Sequence, residues 1–279
     1  MESQQSNTPP TLHFKTLQIN LQKKPLANTE MLQCAKQNNI DILIIQEPHI
    51  IPTNKEVPQT GKTNTIILTK EGIHYHTKHK SPSLVAIMIN QILIINAYAA
   101  PIKYKRSIFP LLCKIEKLIH THKEHPILLC GDFNTGTALF KTTKRTPNSA
   151  HFDEFIIANN LAIQNYDAPT WTARGLYSTI DYTLTKQLEI ENWKISPYYS
   201  QSDHVYIEFT IPGIPTLAPN KNTKIHIDKE KFRNNLANPP TLKPYTTPEN
   251  TETNALLINN WIATVLENAT TTLKIKTKP

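Results

Sequence analysis

Apolar and polar positions alternate along the chain in segments that predict both strands and helices. Ile42–Ile45 is a continuous apolar run, suited to a strand buried on both faces. Two more apolar runs, Leu84–Ile89 and Ile92–Ala97, are separated only by Asn90-Gln91, which predicts a hairpin. In 105–120 the apolar residues recur at helical spacing, so this segment predicts a helix. Further strands are predicted at Leu12–Ile19, Thr65–Lys70, Ile127–Leu129, Ile180–Thr185, Asn192–Ile195 and Val205–Ile211, and further helices around Ala27–Ala35 and Phe152–Ile156.

Hairpins and helix-linked strands without a repeated unit predict an α/β fold. The expected architecture is a four-layer α/β/β/α sandwich, in which helices flank two packed mixed sheets. Residues 12–212 are expected to form this domain, and the polar segment 1–11 a disordered leader. From residue 213 the composition shifts to Pro, Asn, Thr and Lys, which predicts a linker across 213–279 with one late helix near 252–270.

Composition narrows the classes of function. A formal net charge of +8 and a pI near 9.2 favour a polyanionic partner such as nucleic acid, with an anionic membrane surface as the weaker alternative. Each of the three cysteines has apolar neighbours, which argues against a disulfide framework or a cysteine-rich zinc site. The longest apolar run, Ile92–Ala100, is far shorter than the roughly 20 residues of a membrane span. The composition therefore predicts a soluble, intracellular protein.

The candidate chemistry lies where apolar strands end. Cys130-Gly131-Asp132-Phe133-Asn134 follows an apolar run and places a carboxylate and a carboxamide two residues apart, on one side of the chain. Such a pair can orient a water molecule, although the same residue types also form ordinary turns. Further polar residues end other predicted strands, and together they suit cleavage of a phosphate ester assisted by a hard divalent ion. These residues are Asn20, Glu47, Tyr98, Asp181, Asp203 and His204.

At these residues the sequence resembles the endonuclease/exonuclease/phosphatase superfamily, which includes DNase I and apurinic endonucleases. More narrowly, it is similar to the endonuclease domains of arthropod non-LTR retrotransposon polyproteins of the jockey-like and ribosomal-DNA-inserting types. The resemblance extends over about residues 12–212 and implies a DNase I-like fold. It is carried by Leu17–Lys23, Asp41–Pro48, Asn96–Pro101, Gly131–Asn134, Pro169–Thr172, Ser178–Leu184 and Ser202–Phe209.

The resemblance implies a magnesium site beside a water-activating carboxylate. Glu47 would be the main Mg²⁺ ligand, with Asn20 beside it and Asp203 near the metal; Mn²⁺ is the alternative ion. Asp132 would position or deprotonate the attacking water, and Asn134 would orient Asp132 and the phosphate.

It also implies contacts to the phosphate and to DNA. His204 would contact the scissile phosphate, held by Asp181, and its role as general base or transition-state stabiliser stays open. Tyr98 would donate a hydrogen bond to the phosphate. Thr170 and Trp171 would contact DNA by stacking or groove packing, and the basic loop would contact its phosphates. The residues of that loop are Lys141, Lys144 and Arg145.

The expected activity is magnesium-dependent nicking of DNA in the nucleus, leaving a 3′-hydroxyl that primes reverse transcription. A full-length relative would add a reverse transcriptase domain and element RNA, and 213–279 would lead towards a reverse transcriptase that is absent here. The alternatives are a phosphatase or phosphodiesterase of this fold acting on a small ester, and a DNA-binding remnant without catalysis. The loop Thr135–Phe140 departs from the family pattern, which leaves the choice of target open.

Two groups of histidines need no metal. His74, His76 and His79 lie in a segment without an acidic or cysteine partner nearby, so a solvated hairpin is the expected structure. His120, His122 and His125 follow the predicted helix 105–120, where cationic side chains are favoured by the helix dipole.

Overall fold

The computed structural model describes residues 13–49, 63–101, 107–140, 146–166, 168–213, 223–242 and 270–274, with single positions between 254 and 268. The chain divides into two compact units, Met1–Pro215 and Thr216–Pro279. The predicted leader, residues 1–11, lies outside the described residues.

The first unit contains three helices and thirteen strands among its described residues. Its helices are α1 (Pro25–Gln37), α2 (Phe109–Thr121) and α3 (Ser149–Ala158). Its strands are β1 (Phe14–Asn20), β2 (Ile42–Gln46), β3 (Thr65–Thr69), β4 (His76–Ser81), β5 (Leu84–Ile89), β6 (Ile92–Tyr98), β7 (Ile127–Asp132), β8 (Ala162–Ile163), β9 (Trp171–Ala173), β10 (Leu176–Ser178), β11 (Asp181–Lys186), β12 (Glu191–Ile195) and β13 (Ile207–Ile211).

These strands form two mixed sheets. The first sheet has the order β12-β13-β1-β2-β3, and the second has the order β4-β5-β6-β7-β11-β8. Each sheet has one parallel pair, β1–β2 in the first and β6–β7 in the second, and each of these pairs is joined through a helix. Strands β9 and β10 form a separate hairpin.

Three apolar clusters show how the layers pack. Ile42 and Ile44 of β2 face a cluster between the sheets, where they join Ile94 of β6 and Leu128 of β7. Leu43 and Ile45, on the other face of β2, pack with Met31 of α1. The outer face of the second sheet packs with α2 and α3. Strand β2 is therefore apolar on both faces because both are buried, and the predicted α/β/β/α sandwich is confirmed.

The minor elements agree with the sequence expectations only in part. As expected, the His74–Lys80 segment lies in an exposed hairpin, because it contributes to β4, which pairs only with β5 among the described strands at an edge of the second sheet. The short strands β8, β9 and β10 were not predicted, because runs of two or three residues carry too little hydrophobic periodicity. Of the helices in the described residues, none combines the length and apolarity needed to cross a membrane.

The second unit contains β14 (Thr223–Ile227), α4 (Lys229–Leu236) and β15 (Thr270–Lys274). Strands β14 and β15 pair antiparallel. Helix α4 begins after Asp228, whose carboxylate accepts hydrogen bonds from the backbone N–H groups of Glu230 and Lys231. The positions described between 254 and 268 are helical, in the segment for which the sequence predicts a helix.

Candidate active site

The candidate site is built on one end of the second sheet, where three strands place polar side chains in a row. In the parallel pair β6–β7, Tyr98 lies opposite Asp132, and in the antiparallel pair β7–β11, Asp132 lies opposite Asp181. Residues directly opposite each other on neighbouring strands share one face of the sheet. Strand pairing therefore brings together residues from three separate segments of the sequence.

Gly131 is needed for this strand pairing. A Cβ atom at this position would lie 2.2 Å from the backbone oxygen of Ala97, on the neighbouring strand β6. No side chain fits at that distance, so only glycine allows β6 and β7 to approach closely enough to place Tyr98 beside Asp132.

Two asparagines hold the Asp132 carboxylate. Asn20 Nδ2 donates to Asp132 Oδ2 at 2.7 Å, and Asn134 Nδ2 donates to the same oxygen at 3.1 Å. The backbone N–H of Asn134 donates to Asp132 Oδ1 at 2.9 Å. Because Asn20 ends β1 of the first sheet, the hydrogen bond to Asp132 links the two sheets at the site.

Left-handed backbone conformations occur at both ends of this arrangement. Asn134 has φ of 48°, which asparagine tolerates better than most residues, and Glu47 has φ of 44°. A glutamate in this region is uncommon and costs on the order of 1 kcal/mol. The backbone of Glu47 is held in place by a hydrogen bond from its N–H to Asn64 O and by one from Lys23 N to Glu47 O.

His204 is held against the acidic row by a second carboxylate. Its Nδ1 lies 2.8 Å from Asp181 Oδ2, and its Nε2 lies 4.0 Å from Asp132 Oδ2. Thr170 Oγ1 donates to Asp181 Oδ2 at 2.7 Å and accepts hydrogen bonds from the backbone N–H groups of Ile180 and Asp181 at 3.1 Å each. Thr170 therefore fixes the carboxylate that fixes the imidazole, in the manner of an outer-shell partner.

Burial and neighbouring charges shift the acid–base properties of these groups. Burial, together with the nearby charge of Asp181, raises the pKa of Asp132 to about 7, although His204 and the hydrogen bonds from Asn134 and Asn20 act in the opposite direction. Burial alone would lower the pKa of His204, but Asp181, and after it Asp132 and Glu47, raise it to about 9. At neutral pH the site therefore contains an imidazolium beside a carboxyl group that titrates near neutrality.

Comparisons with known proteins find one family model that matches the chain. A family model described as endonuclease-reverse transcriptase matches residues 92–208, the part of the chain that contains Tyr98, Asp132, Asp181 and His204. No curated protein is significantly similar to the sequence.

Several solved structures share the fold of this chain. The endonuclease domain of TRAS1, a telomere-specific non-LTR retrotransposon, is 22% identical with a TM-score of 0.63, covering 71% of this chain and 98% of that one. A 3′ phosphatase from Neisseria, solved with a product DNA hairpin, is 16% identical with a TM-score of 0.52, covering 70% of this chain and 98% of that one. An endonuclease/exonuclease/phosphatase family protein from Bacteroides thetaiotaomicron is 12% identical with a TM-score of 0.52, covering 74% and 100%. The DNase I-like fold of the resemblance is thus confirmed.

Glu47 lies on the side of the site formed by the first sheet. Its side chain is mostly buried, with 21% exposed, and its Oε1 lies 4.0 Å from Lys23 Nζ. Glu47 contributes to the raised pKa of His204, so its charge acts within the same site. Its location beside the end of β1 agrees with the expected grouping of Glu47 and Asn20.

Asp203, predicted to lie near the metal, contacts the loop after β1. Its Oδ1 lies 2.9 Å from Lys24 Nζ, and its Oδ2 accepts a hydrogen bond from Gln22 Nε2 at 3.2 Å. Burial would raise the pKa of Asp203, but these contacts outweigh it and lower the pKa. Both carboxylate oxygens thus already have positively charged or hydrogen-bonding partners.

The residues predicted to contact DNA differ in where the structure places them. The role expected for Thr170 does not fit, because Thr170 is fully buried and its hydroxyl bonds Asp181. Trp171 is partly exposed in β9, forms a β-bridge with His204 and stays a candidate for DNA contact. Lys141, Lys144 and Arg145 lie outside the described residues.

The supporting roles of three residues have no signature in the sequence. Thr170 is expected to contact DNA, and neither Gln22 nor Lys24 has an expected role. A hydroxyl that holds a carboxylate 11 residues away, or a lysine that pairs with an acid 179 residues away, has no local signature. These three roles become visible only in the structure. There the 203–205 segment pairs with 170–172 and contacts the 20–24 loop.

Proposed function

We propose that this domain is a magnesium-dependent endonuclease that nicks DNA by hydrolysing a phosphodiester. The observation that carries the proposal is the buried Asp132 carboxylate, held by Asn20 and Asn134 and facing an imidazole that Asp181 fixes. The match to an endonuclease-reverse transcriptase model and the DNA bound by one structural neighbour support DNA as the substrate.

Asp132 would position the attacking water and accept its proton. A carboxyl group with a pKa near 7 suits this task, because a general base works best when its pKa lies close to the working pH. The hydrogen bonds from Asn20 and Asn134 keep the carboxylate in one orientation, so little reorganisation is needed when the water attacks.

His204 would act as a cation that stabilises the phosphate in the transition state. Its raised pKa keeps it protonated at neutral pH, so Nδ1–H donates to Asp181 and Nε2–H is available on the side of Asp132. A protonated imidazole cannot accept a proton from water, which favours transition-state stabilisation over the general-base role. Tyr98, next to Asp132 in the sheet, would hydrogen-bond the phosphate.

The donor set suits a hard divalent cation. Glu47, Asp132 and Asp181 contribute three carboxylates to a site with one imidazole, and Asp181 Oδ1 is buried and accepts no hydrogen bond from the described residues. Asp132, Asp181 and His204 can offer ligand atoms within 4.8 Å of one another, but the imidazole is already held by Asp181. The partly exposed carboxylate of Glu47, with Asn20 near it, therefore fits Mg²⁺ better, and Mn²⁺ is the alternative. The bound ion would neutralise negative charge that develops on the phosphate.

Attack of water on phosphorus breaks the P–O3′ bond, so O3′ stays on the sugar, takes up a proton and becomes a 3′-hydroxyl, and the other end carries a 5′-phosphate. A 3′-hydroxyl can prime reverse transcription, so the proposed role is target-primed reverse transcription of a non-LTR retrotransposon. This role places the activity in the nucleus, with a reverse transcriptase domain and element RNA as partners. The similarity to the retrotransposon endonuclease fold supports this assignment.

The test is incubation of the purified protein with supercoiled plasmid and Mg²⁺. We expect relaxed circles whose nicks a DNA polymerase extends without prior phosphatase treatment, and no relaxation in EDTA. Asp132→Asn and His204→Asn should each lower the rate by about 10²–10⁴-fold, whereas Glu191→Gln, an exposed carboxylate on β12, should not.

Three outcomes would contradict the proposal. Release of inorganic phosphate from a 3′-phosphorylated oligonucleotide without nicking would assign a phosphatase, the activity named for one structural neighbour. DNA binding without cleavage would assign a DNA-binding remnant. Nicking by Asp132→Asn at the wild-type rate would place the chemistry elsewhere.

A further inference from the structure

The segment that carries His204 is held on two sides. On one side, Thr172 N donates to Asp203 O at 2.8 Å and Val205 N donates to Thr170 O at 3.0 Å. On the other side, the loop after β1 contacts the segment through side chains, and Ser202 Oγ donates to Asn20 O at 2.6 Å. These contacts determine where His204 lies relative to Asp132.

The loop after β1 makes its strongest contact with Asp203. Lys24 Nζ lies 2.9 Å from Asp203 Oδ1 and donates to Gln201 O at 3.0 Å. Gln22 contacts Asp203 twice, donating from Nε2 to Oδ2 at 3.2 Å and accepting at Oε1 from Asp203 N at 3.0 Å. Asp203 is thus bound at both carboxylate oxygens and at its backbone N–H.

The backbone of this loop is shaped for these contacts. Gln22 and Lys23 both have positive φ, 49° and 56°, and Lys24 N donates to Leu21 O at 2.9 Å, which closes a tight turn. Asn20, at the start of the turn, binds Asp132 through Nδ2 and Gln22 N through Oδ1. One short loop therefore contacts the water-activating carboxylate at one end and the His204 segment at the other.

We propose that Lys24, together with Gln22, is a positioning residue that grips Asp203 and so holds His204 at its working distance from Asp132. Asp203 is then part of this clamp and is not a metal ligand. The inference rests on the proposed nicking activity for its kinetic consequence, whereas the clamp itself can be measured without metal or DNA.

Lys24 can be substituted without the loss of a side-chain cap of α1. Lys24 is the N-cap residue of α1, but its side chain makes no capping hydrogen bond, and Pro25 follows at the first helical position. Lys24→Met therefore removes the charge without removing a helix cap, and Lys24→Arg keeps a donor for the carboxylate. Lys36→Met, an exposed lysine in the last turn of the same helix, is the matched control.

The kinetic test compares Lys24→Met, Asp203→Asn and the double variant in plasmid nicking across a range of Mg²⁺ concentrations. We expect each single variant to lower kcat about tenfold, because small displacements of a catalytic group are costly. The KM and the Mg²⁺ concentration for half-maximal rate should stay within about twofold of wild type. The double variant should be no slower than the slower single variant, Lys24→Arg should regain most of the rate, and Lys36→Met should match wild type.

Binding and melting measurements separate this inference from the proposed function. In EDTA, the melting temperatures of wild type and the same three variants should show a coupling between Lys24 and Asp203. Calorimetric titration with Mg²⁺ should give unchanged affinity for Asp203→Asn. Failure of wild type to nick DNA would refute the proposed function and leave the coupling measurable.

Two results would overturn the clamp. One is a several-fold weaker Mg²⁺ affinity in Asp203→Asn with unchanged affinity in Lys24→Met, which would make Asp203 a metal ligand. The other is wild-type kcat in Lys24→Met, or additive losses in the double variant, while wild type nicks DNA.

Discussion

The stability of the metal-free protein should fall as the pH rises from 6.5 to 8.5, because His204 binds its proton more tightly in the folded state. Its pKa of about 9 in the fold exceeds the value of about 6.5 in the unfolded chain. A group whose pKa is raised on folding stabilises the fold fully below the unfolded pKa and loses that contribution as the pH rises through the folded pKa. The raised pKa of Asp132 acts with the same sign at lower pH, where its carboxyl group ionises.

The size of the effect follows from the two pKa values of His204. Full protonation in the fold is worth about 3 kcal/mol at pH 6.5, and about 2 kcal/mol of this is lost by pH 8.5. His204 is buried, so solvent screening reduces this figure little. For a domain of this size, 2 kcal/mol corresponds to a fall in melting temperature of about 4–8 °C.

The assay is thermal unfolding in EDTA at several pH values, on wild type and on His204→Asn. Cysteine thiols also begin to ionise near the top of this range, and the raised pKa of buried Cys130 adds a fall of the same sign. Subtracting the His204→Asn series removes the cysteine background, so the difference between the two slopes reports His204 together with its interaction with Asp132. Equal slopes for the two proteins, or a melting temperature that rises with pH in wild type, would refute the reasoning.

Three further substitutions test the support of the site. Gly131→Ala should destabilise the domain by more than about 2 kcal/mol and abolish nicking, because its Cβ would meet Ala97 O and force β6 and β7 apart; denaturant unfolding measures this. Thr170→Val should lower the free energy of unfolding by about 2–4 kcal/mol, because Asp181 loses a donor and two backbone N–H groups lose their acceptor. Thr170→Ser keeps the hydroxyl and should retain most of the stability and of the nicking rate. Asn20→Ala should lower kcat by about 10-fold or more with little change in KM, because Asp132 loses its shortest hydrogen bond. Single-turnover nicking separates the effect on the chemical step from the effect on DNA binding.

The sequence was most informative where one segment serves both the fold and the site. Ile127–Asp132 buries apolar residues on both faces of the strand and ends in the Gly-Asp that the proposed site needs, so the apolar run and the motif predict the same strand. Asp181 and Asp132 were both singled out, but their pairing across β7 and β11 depends on strand order, which a single sequence does not encode locally. Helix α2 begins at Phe109, later than the predicted residue 105, because element ends are set by turns and not by periodicity.

Polar residues in the middle of strands were the least predictable part of the site. Asn96 lies within an otherwise apolar run, which alone would suggest a defect in a buried strand. In the structure its Nδ2 donates to the backbone oxygens of Ile45 and Ile66, and its Oδ1 accepts from Gln46 Nε2. These bonds join β6 of the second sheet to β2 and β3 of the first.

A second polar contact joins the sheets on the other side of β7. Gln18 Nε2 donates to Tyr182 O, and Gln18 Oε1 accepts from Thr183 Oγ1, so β1 is linked to β11. Apolar side chains could fill the same space, but they would pack equally well after a slide of one sheet over the other. Hydrogen bonds to specific backbone oxygens fix the alignment of the sheets, and every bond lost on sliding leaves a buried polar group unpaired. Because Asn20 and Glu47 come from one sheet and Asp132 and Asp181 from the other, that alignment is what the proposed reaction needs for the two halves to act on one phosphate.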